Sequence, residues 1–399
     1  MNPTGRRPEL LAALLTNAAP LVGVAFFGWS LAAILLVYWF ELGVMLVLAA
    51  VRALFAQLPP QHPSDGLVVG ATRHKRGGLS VPWTATEIQV AHLPVLVVAV
   101  PAFGAVWFVA GGVGFAGLDA AGVAFSEENA AAGLAIIGAA VGRSIETLYG
   151  YFLVGRHHEV NAQLALRTAV WPILVVGMVL FFGGAGVAAG VPPVALLGGV
   201  VCVKLLLDLA SVYRDRLEAF DERTYISFGW ATDTPAWPAI DEELSEPVEV
   251  VRPRPAGVLL GGVGRGLRSP AVALSGIVGL LAVLLTLASG DLTLLWIFGG
   301  VALVVLVVLA AVGVLDRAIR YLTMEYRVGD DLAVLGYDRL LREPQWRVPT
   351  WKVEAADARE TVADRLLGTE TLVVSHDNRT IRIPAVPDAE ALRSTDETN

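Results

Sequence analysis

Charged residues and cysteine are scarce in this sequence, and each shortage excludes a class of protein. Only 17% of the 399 residues are charged and 55% are hydrophobic, whereas soluble domains are about a quarter charged. The composition therefore predicts a polytopic membrane protein. The single cysteine, Cys202, excludes an intrachain disulfide and a cysteine-rich metal site. The net charge of −8 gives no support for nucleic-acid binding.

Recognisable catalytic signatures are also missing. The sequence has no nucleophile elbow, no HExxH zinc motif and no kinase signature. Gly262-x-Gly264-x-Gly266 lacks the Lys-Ser/Thr ending of a phosphate loop, so we interpret it as a flexible juxtamembrane linker. We predict no catalytic residue, no metal and no cofactor. Whether the protein is an enzyme stays open, and the missing motifs favour a non-enzyme.

Eight apolar runs are long enough to cross a bilayer as helices, which need about 20 apolar residues each. The predicted spans cover about 10–27, 30–51, 86–110, 130–154, 168–189, 193–213, 270–288 and 292–315. Basic residues at six sites between and beside these spans fall on one side of the membrane, and basic residues favour the cytoplasmic side. We therefore expect a multi-pass plasma-membrane protein with both termini in the cytoplasm.

Ionisable residues inside four of the spans are the candidate functional residues. A carboxylate at the bilayer centre costs about 2.5–3.5 kcal/mol, so it faces other helices, a cation or water. We predict that spans two, three, four and six build one buried polar core, in which Glu41 pairs with Arg143 or Lys204. The predicted members of this core are Glu41, His92, Arg143, Glu146, Lys204 and Asp208.

Two interpretations of the polar core remain open. Paired charges can hold helices together without any turnover, and the same charges can line a water-filled site open to the cytoplasm. A divalent-metal site at His92, Glu146 and Asp208 is disfavoured, because one histidine and two carboxylates from three helices match no recognised ligand spacing.

Changes in hydrophobicity along the sequence divide the chain into four parts. Residues 1–216 form the six-helix membrane domain, and 217–269 are predicted to be a polar, disordered cytoplasmic linker rich in proline and acid. Residues 270–316 form a transmembrane hairpin, and short β-branched runs over 317–399 predict a small β domain. Four arginines of the linker would each favour anionic lipid headgroups by about 1 kcal/mol. They are Arg252, Arg254, Arg265 and Arg268.

The N-terminal part carries a group of recognisable residues, namely Trp29, Tyr38-Trp39-x-Glu41, Arg167 and Lys204-x-x-x-Asp208. On these residues, about 1–216 resembles an uncharacterised family, a domain of unknown function, of prokaryotic polytopic membrane proteins. The run His92-Leu93-Pro94 departs from the His-Tyr-Gly-type pattern of that family, so the resemblance implies no role for His92. It also implies no known activity.

The C-terminal part carries three further runs: Trp346-Arg347-Val348-Pro349, Asp364-Arg365-Leu366-Leu367-Gly368-Thr369 and Ile381-Arg382-Ile383-Pro384. With these runs, about 270–393 looks like the bacterial PH-like domain that follows a transmembrane hairpin. The resemblance implies a strongly bent antiparallel sheet closed by a C-terminal helix. It implies a binding or assembly module, with no ligand positions carried over.

The sequence thus predicts a polytopic α-helical membrane protein with about eight transmembrane helices and a small C-terminal cytoplasmic β-rich PH-like domain. The favoured function is a non-enzymatic membrane scaffold, assembly or binding protein, whose PH-like domain binds a protein partner or a lipid surface. The alternative is a transporter or intramembrane enzyme that uses the polar core around Glu41. Substrate, partner and oligomeric state are not predicted.

Overall fold

A computed structural model of the full chain describes residues 28–60, 66–82, 86–123, 137–138, 140–145, 147–223, 236–330, 332–376 and 379–392, with isolated positions before Gly28. The chain divides into two compact units. The first contains Met1–Gln61 and Val95–Ala236, and the second contains His62–Pro94 and Trp237–Asn399. The segment between the first two long helices therefore folds with the C-terminal part of the chain.

The elements, in chain order, are α1 (Leu31–Leu54), α2 (Val69–Arg73), β1 (Gly78–Ser80), β2 (Glu87–Gln89), α3 (Leu93–Ala120), α4 (Ala162–Ala188), α5 (Pro193–Val212), α6 (Arg214–Arg223), β3 (Glu249–Val251), α7 (Pro255–Leu267), α8 (Val272–Ser289), α9 (Leu292–Arg317), β4 (Met324–Gly329), β5 (Ala333–Asp338), β6 (Glu343–Pro349), α10 (Thr350–Glu354), β7 (Asp357–Arg359), α11 (Val362–Leu367), β8 (Glu370–His376) and β9 (Arg379–Val386). Side chains cap the N-termini of three of the long helices. Ser30, Asn161 and Asp291 accept hydrogen bonds from backbone N–H groups in the first turns of α1, α4 and α9.

Within the described residues, five helical stretches are long and apolar enough to cross a membrane: Leu31–Leu54, Val90–Ala120, Ala162–Ala188, Pro193–Val212 and Leu292–Leu322. α8 contributes a shorter apolar stretch, Ser275–Ser289. Most of predicted span one and much of predicted span four lie outside the described residues. Five described helices could thus span a membrane by their length and composition, and the count of eight remains a prediction.

In the first unit, α1 packs along α4, and α4 packs along α5. Leu35, Ile173 and Leu197 from these helices are among the most fully buried side chains.

Two tryptophans join α1 to α3. The rings of Trp39 and Trp107 stack with centroids 4.3 Å apart, and each indole N–H donates to the other residue's carbonyl, at 2.9 and 2.7 Å. Each ring lies over a glycine of the facing helix, Gly111 beneath Trp39 and Gly43 beneath Trp107. A side chain at either glycine would collide with the indole, so the two helices approach this closely only because those positions lack a Cβ.

In the described part of the second unit, nine short strands form three antiparallel sheets. β1 pairs with β2, one sheet has the order β3-β4-β5-β6, and another has the order β7-β8-β9. The last two sheets form the β domain, which encloses a core that includes Tyr326, Leu372 and Ile383. The resemblance implied a closing C-terminal helix. The described chain instead ends in turns after β9, where the side chain of Leu392 is fully buried.

Residues 249–267 differ from the predicted disordered linker. β3 adds a strand to the sheet, with Val251 opposite Tyr326, and α7 packs along α9. A strand is ordered by the partner that satisfies its backbone N–H and C=O groups. Because that partner lies more than 70 residues downstream in the chain, local composition did not reveal it.

The segment that carries α2 is attached to the hairpin through Asp316. This carboxylate is fully buried near the end of α9 and accepts a hydrogen bond from the Val68 backbone N–H at 3.0 Å. It also pairs with Arg320 at 3.1 Å and with Arg265. One carboxylate therefore joins three separate stretches of the chain.

A second buried carboxylate, Asp338 at the end of β5, attaches the same segment to the β domain. Asp338 pairs with Lys75, which is itself buried, and accepts a hydrogen bond from the Thr323 hydroxyl at 2.8 Å. Burial raises the pKa of Asp338, but the charge and hydrogen bonds of Lys75, Thr323 and the Leu341 backbone outweigh it and hold the pKa below its usual value. The carboxylate is thus stabilised in its charged form.

Gly111 and its neighbour Gly112 test the tryptophan packing. A Cβ at Gly111 meets the Trp39 indole, whereas a Cβ at Gly112 meets no atom within 4 Å. We expect Gly111→Ala to lower the free energy of unfolding by about 1–3 kcal/mol through overpacking. Gly112→Ala should leave it unchanged or raise it by about 0.5–1 kcal/mol. Thermal unfolding in detergent, followed by tryptophan fluorescence, measures both, and equal midpoints for the two variants would contradict the packing.

Acid should weaken the attachment at Asp338. A carboxyl whose pKa is lowered by folding contributes stability above its unfolded pKa of about 3.9, and loses it as pH falls through the folded pKa. We expect Asp338→Asn to lower the free energy of unfolding at pH 7 by about 3–5 kcal/mol, because Lys75 keeps a buried charge without its partner. The variant should also lose part of the acid sensitivity of the wild type.

Thermal unfolding midpoints between pH 7 and pH 3 measure this effect. The matched control is Asp330→Asn, which makes the same substitution at an exposed position of the β domain. The control should keep the wild-type midpoint and pH profile. A midpoint for Asp338→Asn that equals the control at every pH would refute the role of the buried pair.

Candidate functional site

The run Tyr38-Trp39-x-Glu41 lies near the middle of α1, and its side chains face two different sides of the helix. Tyr38, Glu41 and Met45 follow helical spacing and line one cavity. Trp39 lies on another face and contacts Trp107 of α3. The three residues of this motif therefore join α1 to a neighbouring helix and present a carboxylate to the cavity.

Two cations meet the Glu41 carboxylate. Glu41 Oε1 lies 3.2 Å from Arg143 Nη2 and 3.6 Å from Lys204 Nζ. Lys204 Nζ also lies 3.5 Å from the Asp208 carboxylate, one helical turn further along α5. Asn17 Nδ2 donates to the same carboxylate at 2.7 Å. The cluster thus contains two acids and two bases, so their formal charges cancel.

The cavity beside this cluster is small. Its volume is about 50 Å³, and its wall contains the four charged side chains, Tyr38 and a set of apolar residues: Leu42, Met45, Pro172, Val176, Val200 and Leu207. Small-molecule sites usually enclose about 300–1,000 Å³, whereas one water molecule needs roughly 10–15 Å³ of free space for its centre. The cavity accommodates water molecules and excludes a substrate of ordinary size. Sequence patterns did not identify the apolar wall, because its residues come from three helices.

The structure brings together four of the six residues predicted for the polar core: Glu41, Arg143, Lys204 and Asp208. Glu146 lies outside the described residues. His92 belongs to the second unit, where it is buried in the 3-10 turn Val90–His92 directly before α3. Predicted span three was started at residue 86, whereas residues 87–89 form β2 and pair with β1.

The described residues contain no group of three or more His, Cys, Asp or Glu side chains that could hold a metal ion. His157, in the run His157-His158-Glu159, is buried, and its Nδ1 lies 3.2 Å from the Tyr151 carbonyl. That contact fits a packing role for the ring.

The four arginines predicted to contact headgroups differ in their surroundings. Arg252 pairs with Glu325 at 3.4 Å, Arg254 donates to the Leu367 carbonyl at 2.7 Å, and Arg265 pairs with the buried Asp316. Arg268 is exposed at the end of α7. Three of the four guanidinium groups are thus engaged within the second unit.

The glycines interpreted as a flexible linker lie instead on α7 and let it approach α9 closely. A Cβ at Gly262 would collide with the Val314 backbone, and one at Gly266 would collide with the Leu309 backbone. The available signal was the Gly262-x-x-x-Gly266 spacing, which places two small residues on one helix face for close packing in membranes. The middle glycine, Gly264, has open space around it.

The buried carboxylate of Asp364 accepts most of the side-chain hydrogen bonds in the run from Asp364 to Thr369. Asp364 forms a capping box with Thr361 at the start of α11 and accepts hydrogen bonds from the Thr369 and Thr371 hydroxyls at 2.8 and 2.9 Å. Burial raises the pKa of Asp364, but the hydrogen bonds outweigh it and keep the pKa below its usual value. Gly368 ends the helix in the left-handed conformation. Asp364, Gly368 and Thr369 of this run therefore have a role in folding.

Comparison with known families assigns both parts of the chain. Residues 1–224, more than half of the chain, match a family of unknown function, DUF6498. Residues 272–396 match the bacterial PH domain. No curated protein matches the chain, and no solved structure matches it. The chain thus belongs to the DUF6498 family, and its C-terminal part, from α8 onward, matches the bacterial PH domain.

Proposed function

We propose that this membrane protein is a non-enzymatic scaffold or binding protein. In this proposal the helices of the first unit form a charge-paired anchor, and the PH-like domain binds a protein partner or a lipid surface. The observation that carries the proposal is the environment of Glu41, whose carboxylate lies within ion-pair distance of both Arg143 and Lys204.

The charge balance of this cluster supports a structural role. A buried charge left without its partner costs several kcal/mol, and one that is paired and hydrogen-bonded costs far less. Glu41 and Asp208 face Arg143 and Lys204, so each formal charge has a counter-charge nearby. Such a network joins helices that are distant in sequence, which is the role of polar residues between membrane helices.

The size of the cavity also supports this role. A space of about 50 Å³ lies beside the cluster, far below the roughly 300 Å³ of small-molecule sites. A transporter or intramembrane enzyme would need a larger opening to reach Glu41.

One observation favours the rival function, a transporter or intramembrane enzyme. The Tyr38 hydroxyl is buried beside Glu41 and Lys204 and has no hydrogen-bond partner among the described residues. A water molecule in the cavity would satisfy it, and a chain of such waters could conduct protons. A measurement of proton flux therefore belongs to the test.

For the whole chain we propose eight spans, with both termini in the cytoplasm of a plasma-membrane protein. The basic sites between the spans support this orientation through the positive-inside rule. We further propose that 1–216 and 317–399 act as separate functional parts, one embedded in the bilayer and the other exposed to the cytoplasm.

Neutralising Glu41 should destabilise the first unit. Glu41→Gln leaves Arg143 and Lys204 with only one carboxylate, and we expect the free energy of unfolding to fall by about 3 kcal/mol. The double variant Glu41→Gln/Lys204→Gln restores a balance of one acid and one base. It should therefore be less destabilised than the sum of its two single variants. Thermal unfolding in nanodiscs measures all three.

Glu159→Gln is the matched control, since it removes a carboxylate from an exposed position of the same unit. It should keep the wild-type midpoint. Proteoliposomes loaded with a pH-sensitive dye then separate the two functions. The scaffold proposal expects no protein-dependent proton flux, and a flux that Glu41→Gln abolishes while the midpoint stays unchanged would replace it with the transport function.

A further inference from the structure

Two chain connections between the β domain and the transmembrane hairpin of α8 and α9 lie at one end of this domain. β4 begins directly after the helical stretch that ends at Leu322, and the Thr323 carbonyl accepts a hydrogen bond from Arg339 N–H at 2.9 Å. On the other side, Arg254 N–H donates to the Ala385 carbonyl at 2.8 Å just before α7 begins. We name this the hairpin end of the domain.

Antiparallel pairing places every turn of the domain either at the hairpin end or at the opposite end. β4 leaves the hairpin end and β5 returns to it, with Met324 opposite Asp338. The turn between β5 and β6 therefore lies at the hairpin end. α11 comes directly before β8, whose first residue Glu370 pairs with Val386 at the end of β9. Since Ala385 of β9 lies at the hairpin end, α11 lies at the hairpin end as well. The turn between β4 and β5 lies at the opposite end, roughly 20 Å away for a six-residue strand.

Large apolar side chains are exposed at the hairpin end. Leu340 in the β5–β6 turn is 63% exposed, and Val362 and Leu366, one turn apart on α11, are 71% and 72% exposed. Exposed apolar groups close together mark an interaction surface when they are not scattered singly. These three lie at the end of the domain to which the membrane-spanning hairpin is joined.

α7 extends the same apolar surface toward the membrane. Its glycine face packs on α9, whereas Leu259, Val263 and Leu267, at intervals of four residues, are exposed. Shortly after Leu267, α8 begins its apolar run at Val272. The Arg254 side chain donates to the Leu367 carbonyl, so the start of α7 lies beside the end of α11.

Arginines accompany the apolar residues at the hairpin end. Arg339 and Arg342 flank the β5–β6 turn, and Arg365 lies between Val362 and Leu366 on α11. Arg365 pairs with Glu360 at 3.3 Å, and both side chains are exposed, so this pair is weak. An apolar side chain beside an arginine suits a membrane interface, where the guanidinium reaches lipid phosphates and the apolar group enters the acyl boundary.

We propose that the hairpin end of the PH-like domain is a membrane-contact surface, which inserts Leu340, Val362 and Leu366 into the headgroup region of the bilayer that holds the hairpin. The occupant is the lipid surface, because this surface continues from the exposed face of α7 into the transmembrane hairpin. The proposal is independent of the scaffold function, since a transporter with the same hairpin would make the same contact.

Site-directed fluorescence on the full-length protein in nanodiscs tests this proposal. In a Cys202→Ser background, Leu366→Cys and Leu332→Cys each carry an environment-sensitive dye. Leu332 is the matched control, because it is a leucine of the same domain, 55% exposed, in the turn at the opposite end. The nanodiscs contain lipids with a nitroxide quencher near the headgroup. We expect the dye at position 366 to be quenched at least threefold more strongly than the dye at position 332.

Equal quenching at positions 366 and 332 would overturn the proposal. So would a dye at position 366 that is shielded from an aqueous quencher but not reached by the lipid quencher, because that result assigns the surface to a protein partner. Each variant must unfold at the wild-type temperature. If Leu366→Cys does not, Val362→Cys and Leu340→Cys supply the same measurement with the same expected ratio to Leu332→Cys.

Discussion

A carboxylate removed from water needs a cation or several hydrogen-bond donors, and this constraint organises much of the structure. In the first unit, Glu41 of α1 forms ion pairs with Arg143 and Lys204. In the second unit, Asp316 and Asp338 bind the segment that carries α2. In each case the carboxylate joins stretches of chain that are far apart in sequence, so the buried acids specify which stretches come together.

The second requirement is close approach of helices without side chains between them. Gly43 and Gly111 leave room for the stacked indoles of Trp39 and Trp107, and Gly262 and Gly266 let α7 pack on the backbone of α9. Lipid tails are as apolar as a leucine side chain, so helices in a membrane gain little from hydrophobic burial and depend on such packing. Close packing at glycines and buried ion pairs thus both hold helices of this chain together.

Both requirements bear on function. The charges around Glu41 are balanced, and the cavity beside them has a volume of about 50 Å³. This arrangement fits a structural role better than a transport pathway. The β domain is joined to its hairpin through β4, through α7 and through the segment that carries Lys75. These attachments fix the orientation of the β domain relative to its hairpin.

Local pattern alone determined the membrane class, the positions of α1, α4, α5 and α9, and the runs that mark the PH-like domain. Those features follow from apolar length, helical spacing and short-range motifs, which are properties of contiguous residues. Tertiary structure alone decided that the described part of the segment between α1 and α3 folds with the second unit and that β3 joins a sheet. Each of these depends on a partner far away in the chain, and the energy of a buried ion pair or a strand pairing exists only once both partners have met.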